Sequence, residues 1–169
     1  LAMMLAETPG LADRAELFGS DLSERSLEKA QAGLYSQFEV QRGLPARGLV
    51  RHFEKRGEGY ALSPRIRQMV RWRRVNLLDD LSRFGQFDLL LCRNVLGAMA
   101  PEAQVRVRAA LGRALAPGGR LVLGLKDGGE LLTSIAPEIG LYAAPGEGGP
   151  MNVEPRRMAT GSGSMVVEL

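Results

Sequence analysis

The segment Phe87–Leu125 constrains the fold more than any other part of the sequence, because it is typical of a strand, a helix and a second strand. The apolar run Phe87–Cys92 predicts a buried strand. A helix with Pro101 at its first position follows, and its apolar face carries Val107, Leu111, Ala114 and Leu115. Pro-Gly-Gly at 117–119 ends that helix before a strand at Arg120–Leu125. A unit of this length predicts a parallel crossover, and therefore an α/β fold.

The N-terminal part of the chain continues the same alternation. A helix is predicted at Leu1–Glu7, a strand at Ala15–Ser20 and a second helix at Ser23–Gln31, with Ser23 as its N-cap. The first helix begins without an initiating Met, a cap or an entry turn, which favours a chain cut out of a longer one.

Gly, Pro and Ser dominate near the C-terminus, at 145–150 and 161–164. Such segments bury little apolar surface, so we expect a linker and C-terminal tail over 146–169 and one compact domain over 1–145. Within the tail, Met165–Leu169 has the composition of a last edge strand.

Composition excludes several classes of protein. The single cysteine, Cys92, and the single histidine, His52, exclude a disulfide framework and a zinc site made from Cys and His of this chain. We therefore expect no metal, and a reducing, cytoplasmic location. No apolar run approaches the ~18 residues of a membrane helix, so we expect no membrane insertion.

Basic residues concentrate in the middle of the chain. Between Arg42 and Arg74 there are ten Lys and Arg residues and two acids, Glu54 and Glu58, a charge of 10 − 2 = +8 within a chain of net +3. This segment reads as a small inserted subdomain with a turn at 56–60, a short helix at 64–69 and a strand at 70–75. Its charge favours a face for an anionic partner, although a solvated Arg-rich surface would explain it equally well.

Polar residues follow three of the predicted strands, where ligands bind in open α/β sheets. The candidate positions at these strand ends are the polar residues together with their neighbours: Asp21, Leu22, Asn76, Leu77, Cys92, Arg93 and Asn94. A carboxylate such as Asp21 can accept bonds from both hydroxyls of a ribose. The Asn76 amide beside Leu77 offers a donor, an acceptor and an apolar wall, as an adenine requires. The alternatives are that Asp21 is a cap or turn residue and that Asn76 only ends its strand.

Four segments, in this order, are similar to one protein family. They are SDLSERSLEKAQAGLYSQFEVQRGLP, LVRHFEKRGEGYALSPRIRQMVRWRRVNLLD, FDLLLCRNV and ALAPGGRLVLG. Together they resemble the chemotaxis receptor methyltransferases, the CheR family, over about residues 1 to 125. In that family S-adenosylmethionine (SAM) methylates glutamate side chains of chemoreceptors.

The resemblance implies a Rossmann-like, class I SAM-dependent methyltransferase fold with a small inserted β-subdomain at about 35–75. The Gly-rich first motif and the N-terminal helical domain of the family would precede Leu1. We therefore expect an incomplete sheet without its first strand, and a segment that is inactive alone. Loss of that central strand would leave two unpaired strand edges, which disfavours stable folding of the segment by itself.

The resemblance also implies roles for the residues at the strand ends. Asp21 would bind the cofactor ribose with Leu22 beside the adenine, and Asn76 and Leu77 would contact the adenine. Cys92 and Arg93 would line the cofactor, and Arg93 and Asn94 would hold the geometry of the catalytic site.

The implied methyl transfer requires the substrate carboxylate to be positioned, but it does not require a general base. A glutamate with a pKa of ~4.3 is already ionised at neutral pH. This agrees with a sequence that has no Ser/His/Asp or Cys/His arrangement. His52 is then a surface or packing residue, and Cys92 a pocket or core residue rather than a nucleophile.

Two departures from the family pattern keep other functions open. Gly97-Ala98-Met99 stands where the family has an aromatic run with an active-site Tyr, and Leu125-Lys126-Asp127 replaces a His-Ser-Glu loop. One alternative is therefore a catalytically impaired regulatory or binding module. Another is a methyltransferase of a different substrate such as RNA, but Arg93-Asn94-Val95-Leu96 lacks the Asn/Asp-Pro-Pro-aromatic loop of base methylation, which argues against a nucleic-acid partner.

Overall fold

The computed structural model describes residues 1–147 and the strand at 163–168. The helices are α1 Ala2–Glu7, α2 Glu24–Ala32, α3 Gln37–Gln41, α4 Ala46–His52, α5 Pro64–Gln68 and α6 Pro101–Ala114. The strands are β1 Ala15–Asp21, β2 Leu34–Ser36, β3 Phe53–Arg56, β4 Gly59–Leu62, β5 Val70–Arg74, β6 Phe87–Cys92, β7 Leu115–Leu123, β8 Thr133–Ala136, β9 Leu141–Ala143 and β10 Gly163–Glu168. Short 3₁₀ turns lie at Ser82–Phe84, Leu96–Ala98 and Pro137–Ile139.

The main sheet has the strand order β5-β1-β10-β6-β7-β9-β8. Its first five strands run parallel, and β9 and β8 extend it by antiparallel pairing. The predicted Rossmann-like α/β fold is confirmed. The predicted crossover from β6 through α6 to β7 is confirmed as well, with Pro101 at the start of the helix.

The position of β10 differs from the prediction. It is not an edge strand, because it lies between β1 and β6 and pairs in parallel with both. The strand also begins at Gly163, inside the segment expected to be a linker. The two strand edges that we expected to be unpaired are therefore joined through a C-terminal segment of the same chain. Most of the predicted linker, 148–162, lies outside the described residues.

Two predicted boundaries are corrected. The second strand of the crossover is Leu115–Leu123 rather than Arg120–Leu125, since the backbone pairs with β6 from Leu115 onwards and shifts register around Pro117-Gly118-Gly119. The inserted subdomain forms its own small sheet, in the order β2-β4-β3, but β5 belongs to the main sheet. The insertion therefore ends before Val70, earlier than the predicted 35–75.

The core lies under the sheet around α6. Val107, Leu111 and Ala114 are buried there, on the face that the spacing predicted. The ring of Phe18 on β1 packs against Phe84 and Phe87, with centroid distances of 5.3 and 6.3 Å. These ring contacts join β1 to the core cluster, which includes residues of β6 and α6.

The contact between Gly19 and Trp72 holds β1 close to β5. The two residues are directly paired across the strands. A Cβ atom added at Gly19 would overlap the six-membered ring of Trp72. The glycine is therefore required by the indole that covers it, rather than by backbone flexibility.

None of the described helices is long and apolar enough to cross a membrane. The longest, α6, has 14 residues.

Candidate functional site

The ends of β1 and β5 are tied together by backbone contacts. Asp21 and Arg74 are paired across the strands, and the Val75 N–H donates to the Asp21 carbonyl at 3.2 Å. Beyond the strand ends, Arg74 Nε donates to the Leu22 carbonyl at 3.1 Å. The two predicted contact pairs, Asp21 with Leu22 and Asn76 with Leu77, therefore leave the sheet side by side.

The Asp21 carboxylate makes a local turn. Its Oδ1 accepts a hydrogen bond from the Ser23 N–H at 2.8 Å, which is the turn role considered as the alternative. A carboxylate has about four acceptor positions, so one bond leaves capacity for ligand hydroxyls. Leu22 beside it is 57% exposed, as an apolar wall of a binding surface would be. Both interpretations of Asp21 fit this geometry, and its ribose role stays a prediction.

Asn76 also forms a turn. Its Oδ1 accepts from the Leu78 N–H at 3.0 Å, and its carbonyl accepts from the Asp79 N–H at 3.0 Å. This arrangement occupies the side-chain oxygen and directs the NH₂ donors elsewhere. Leu77 packs against the core cluster around α6. Its adenine contact, like that of Asn76, stays a prediction, and its packing gives it a structural role as well.

The third strand end, after β6, changes from buried to exposed within one residue. Cys92 is 2% exposed, whereas Arg93 and Asn94 are exposed. Asn94 has a φ of 61°, in the left-handed region that Asn adopts more readily than most residues. The buried position of Cys92 agrees with a core or pocket residue.

The three strand ends lie on the same edge of the sheet. Gly19 on β1 is paired with Val167 on β10, and Val167 is paired with Leu91 on β6. All three strands run in the same direction. Two strand spacings of ~4.8 Å put the end of β6 about 10 Å from the end of β1. A nucleoside can span that distance. The structure brings the seven predicted residues to one edge, and their individual roles stay predictions.

Asp127 is a residue of this edge that the sequence did not single out. It is 3% exposed, and its carboxylate accepts backbone hydrogen bonds from Asn94 at 2.7 Å, Gly97 at 3.1 Å and Gly124 at 2.9 Å. The sequence marked it only as part of the Leu125-Lys126-Asp127 replacement. Ala98, where the family has a Tyr, is exposed in the 3₁₀ turn that this carboxylate supports.

Part of the charge of the basic segment is neutralised within the described residues. Arg51 pairs with Glu7 at 3.2 Å, Arg71 with Glu16 at 3.7 Å and Arg74 with Glu24 at 3.3 Å. All three acids lie outside the segment. Ion pairing therefore accounts for some of the +8 charge without an anionic partner.

His52, the last residue of α4, is buried and contacts Glu7 of α1. Its Nε2 lies 2.8 Å from Glu7 Oε1, and this bond is the main reason why the pKa of Glu7 is lowered. Of the surface and packing roles predicted for His52, the structure shows the packing role, since the imidazole joins two helices.

Cavities lie beside α6 in the described part of the chain. One of about 290 Å³ is lined by Asp79, Asp80, Ser82 and Arg113, among others, and includes none of the predicted site residues. A neighbouring groove of about 280 Å³ includes Leu77 together with Val105 and Arg106. Among the described residues, no group of three or more Cys, His, Asp or Glu side chains is arranged to hold a metal ion.

Comparison with known proteins identifies the family of this chain. The family model "CheR methyltransferase, SAM binding domain" matches residues 1–133. A chemotaxis protein methyltransferase of Vibrio parahaemolyticus is 33% identical over 132 residues, covering 75% of this chain and 48% of the relative. Chemotaxis protein methyltransferase 1 of Pseudomonas aeruginosa is 37% identical over 113 residues, covering 66% and 41%.

A relative of Pseudomonas putida, described as "Probable biofilm formation methyltransferase WspC", is 33% identical over 168 residues, covering 94% of this chain and 39% of its own length. The chain therefore spans about half the length, or less, of the curated relatives it matches.

Proposed function

Because this chain belongs to the CheR methyltransferase family, whose matched domain binds SAM, we propose that the whole protein transfers a methyl group from SAM to glutamate side chains of chemoreceptors. The observation that carries the proposal is the common edge formed by the ends of β5, β1 and β6. The ends of β1 and β6 lie about 10 Å apart, a distance that a nucleoside can span. Relatives at 33% and 37% identity are named chemotaxis protein methyltransferases.

The groups at the edge suit an adenosine-containing ligand. Asp21 would accept from the ribose hydroxyls, with Leu22 against the base. The NH₂ group of Asn76 would donate to an adenine ring nitrogen, and Leu77 would cover one face of the ring. Cys92 and Arg93 would border the ligand on the side of β6. When bound, SAM supplies an electrophilic methyl group.

The residues of this chain would contribute orientation and exclusion of water. A substrate carboxylate is ionised at neutral pH, so no protein group has to remove a proton from it. The Arg93 guanidinium at the exposed end of β6 provides a positive charge that could orient a carboxylate. This explains why the site needs no histidine, and His52 lies buried against α1 instead.

The experiment compares Asp21→Ala with Asp13→Ala in the whole protein. The control makes the same change at an exposed position before β1, at the opposite end of that strand. Calorimetry should find S-adenosylhomocysteine (SAH) binding in the wild type and in Asp13→Ala, and at least tenfold weaker binding in Asp21→Ala. Tritiated methyl groups should appear on receptor glutamates as base-labile esters. Equal SAH affinity in the two variants, or label on RNA instead of receptor, would contradict the proposal.

A second candidate is a binding module without methyl transfer, and Ala98 favours it. The family has a Tyr at the active site in this position, whereas Ala98 presents only a methyl group in the exposed turn. SAH binding without transfer to receptor would select this candidate.

A further inference from the structure

The Asp127 carboxylate joins the two loops that follow β6 and β7. Its Oδ2 accepts from the N–H groups of Asn94 at 2.7 Å and Gly124 at 2.9 Å, and its Oδ1 accepts from Gly97 at 3.1 Å. A carboxylate this deeply buried is stable only when its lone pairs are satisfied, and here backbone donors from both loops satisfy them. The carboxylate therefore connects the two loops to each other.

The backbone at Asn94 and Gly124 leaves space for the Asp127 carboxylate. Asn94 adopts its left-handed conformation where its N–H meets Asp127. A Cβ atom on Gly124 would overlap Asp127 Oδ2 and would lie 2.9 Å from the Asn94 nitrogen. Only glycine therefore fits at position 124 while its backbone, the Asp127 carboxylate and the Asn94 N–H stay in contact.

Side chains of helix α6 donate hydrogen bonds to both loops. The buried Arg108 donates from Nη1 to the Asp127 carbonyl at 2.8 Å. One turn earlier, Gln104 donates from Nε2 to the Met99 carbonyl at 3.0 Å. Arg108 Nη1 also lies 3.3 Å from Gln104 Oε1. The helix thus fixes the Asp127 turn and the far end of the β6 loop through two linked side chains.

We propose that Asp127 is the positioning residue of the cofactor edge. Its carboxylate holds the backbone of Asn94 and Gly97, and so it sets the direction in which Arg93 and Asn94 leave β6. It acts through that loop and does not touch the cofactor. This inference rests on the proposed cofactor role of the β6 loop, but it does not depend on which substrate is methylated.

The test compares Asp127→Asn with Asp88→Asn, which makes the same change at an exposed position of β6. Hydrogen exchange of the whole protein should show that the amides of Asn94, Gly97 and Gly124 exchange at least tenfold faster in Asp127→Asn, since a bond to a charged acceptor is lost. The amides of Leu90 and Leu121, within β6 and β7, should keep their wild-type rates. SAH affinity should fall about tenfold or more in Asp127→Asn only.

Two results would overturn the proposal. One is unchanged exchange at the three amides, and the other is faster exchange there with wild-type SAH affinity. If Asp127→Asn unfolds globally, Gly124→Ala provides the second test, because it displaces the carboxylate while keeping its charge, and it should reproduce the local exchange and the loss of affinity. Failure of the wild type to bind SAH would contradict the proposed function itself, and it would be seen before any variant is made.

Discussion

The Val75 N–H donates to the Asp21 carbonyl at 3.2 Å, one residue beyond the last pair of β1 and β5. This bond continues the strand pairing to the edge of the sheet, so that Asp21 and Asn76 enter their turns from neighbouring positions. A ribose contact and an adenine contact at these two residues are therefore compatible with one bound nucleoside.

Asn76→Asp should weaken SAH binding while leaving the fold intact. The variant keeps an oxygen for the Leu78 N–H at 3.0 Å but replaces the NH₂ donor by an acceptor. Loss of one hydrogen bond predicts about a five- to tenfold lower affinity. Calorimetry measures the affinity, and the melting temperature should stay within a few degrees of the wild type.

Leu77→Ala provides the contrast, because Leu77 packs against the core cluster. It should lower both affinity and melting temperature. Wild-type affinity in Asn76→Asp would exclude an adenine contact by the NH₂ group.

Gly19→Ala should destabilise the protein, because the new methyl group would overlap the ring of Trp72. Overpacking of this kind costs about 1–3 kcal/mol. Chemical denaturation measures the loss. In the Trp72→Leu background the same substitution should cost much less, and an equal cost in both backgrounds would show that the indole is not the cause.

Glu39 should titrate far below an ordinary glutamate. The hydrogen bond from Lys29, and then those from Ser36, lower the pKa of Glu39 from 4.5 to about 2. Since the folded-state pKa is the lower one, its contribution to stability is complete above the unfolded value and is lost as the pH falls from about 4.5 towards 2. NMR titration of the Glu39 carboxyl carbon measures the midpoint. Lys29→Met should raise it, and a wild-type midpoint near 4.5 would contradict the contact.

Ala98→Tyr tests whether the missing phenol limits catalysis. The position is exposed in a 3₁₀ turn, so a larger side chain can be accommodated without filling the core. We expect a higher rate of methyl transfer to receptor with unchanged SAH affinity, and no gain in Ala98→Phe, which lacks the hydroxyl. An equal gain in both variants would assign the effect to packing instead.

The sequence predicted the elements whose signals are local. The apolar run at Phe87–Cys92, the cap at Ser23 and the Pro101 helix start are all present in the structure, because each depends on neighbouring residues. The place of β10 was not predictable in this way. A short strand carries no local signal that separates an edge position from a central one, and the parallel partners of β10 are far away in the chain.

The candidate site shows the same division. Asp21, Asn76 and Arg93 could be found because they follow predicted strands, and a known rule locates ligands there. Asp127 could not be found in this way, because its carboxylate accepts from three backbone N–H groups in two separate loops. No spacing in the sequence reports that convergence.

The most direct test follows the backbone amides of Leu22, Leu77 and Arg93 by NMR as SAH is added to the whole protein. One nucleoside held across the three strand ends predicts that all three signals shift together and give a single dissociation constant. Shifts confined to one strand end, or found only in the basic segment 42–74, would contradict a shared site.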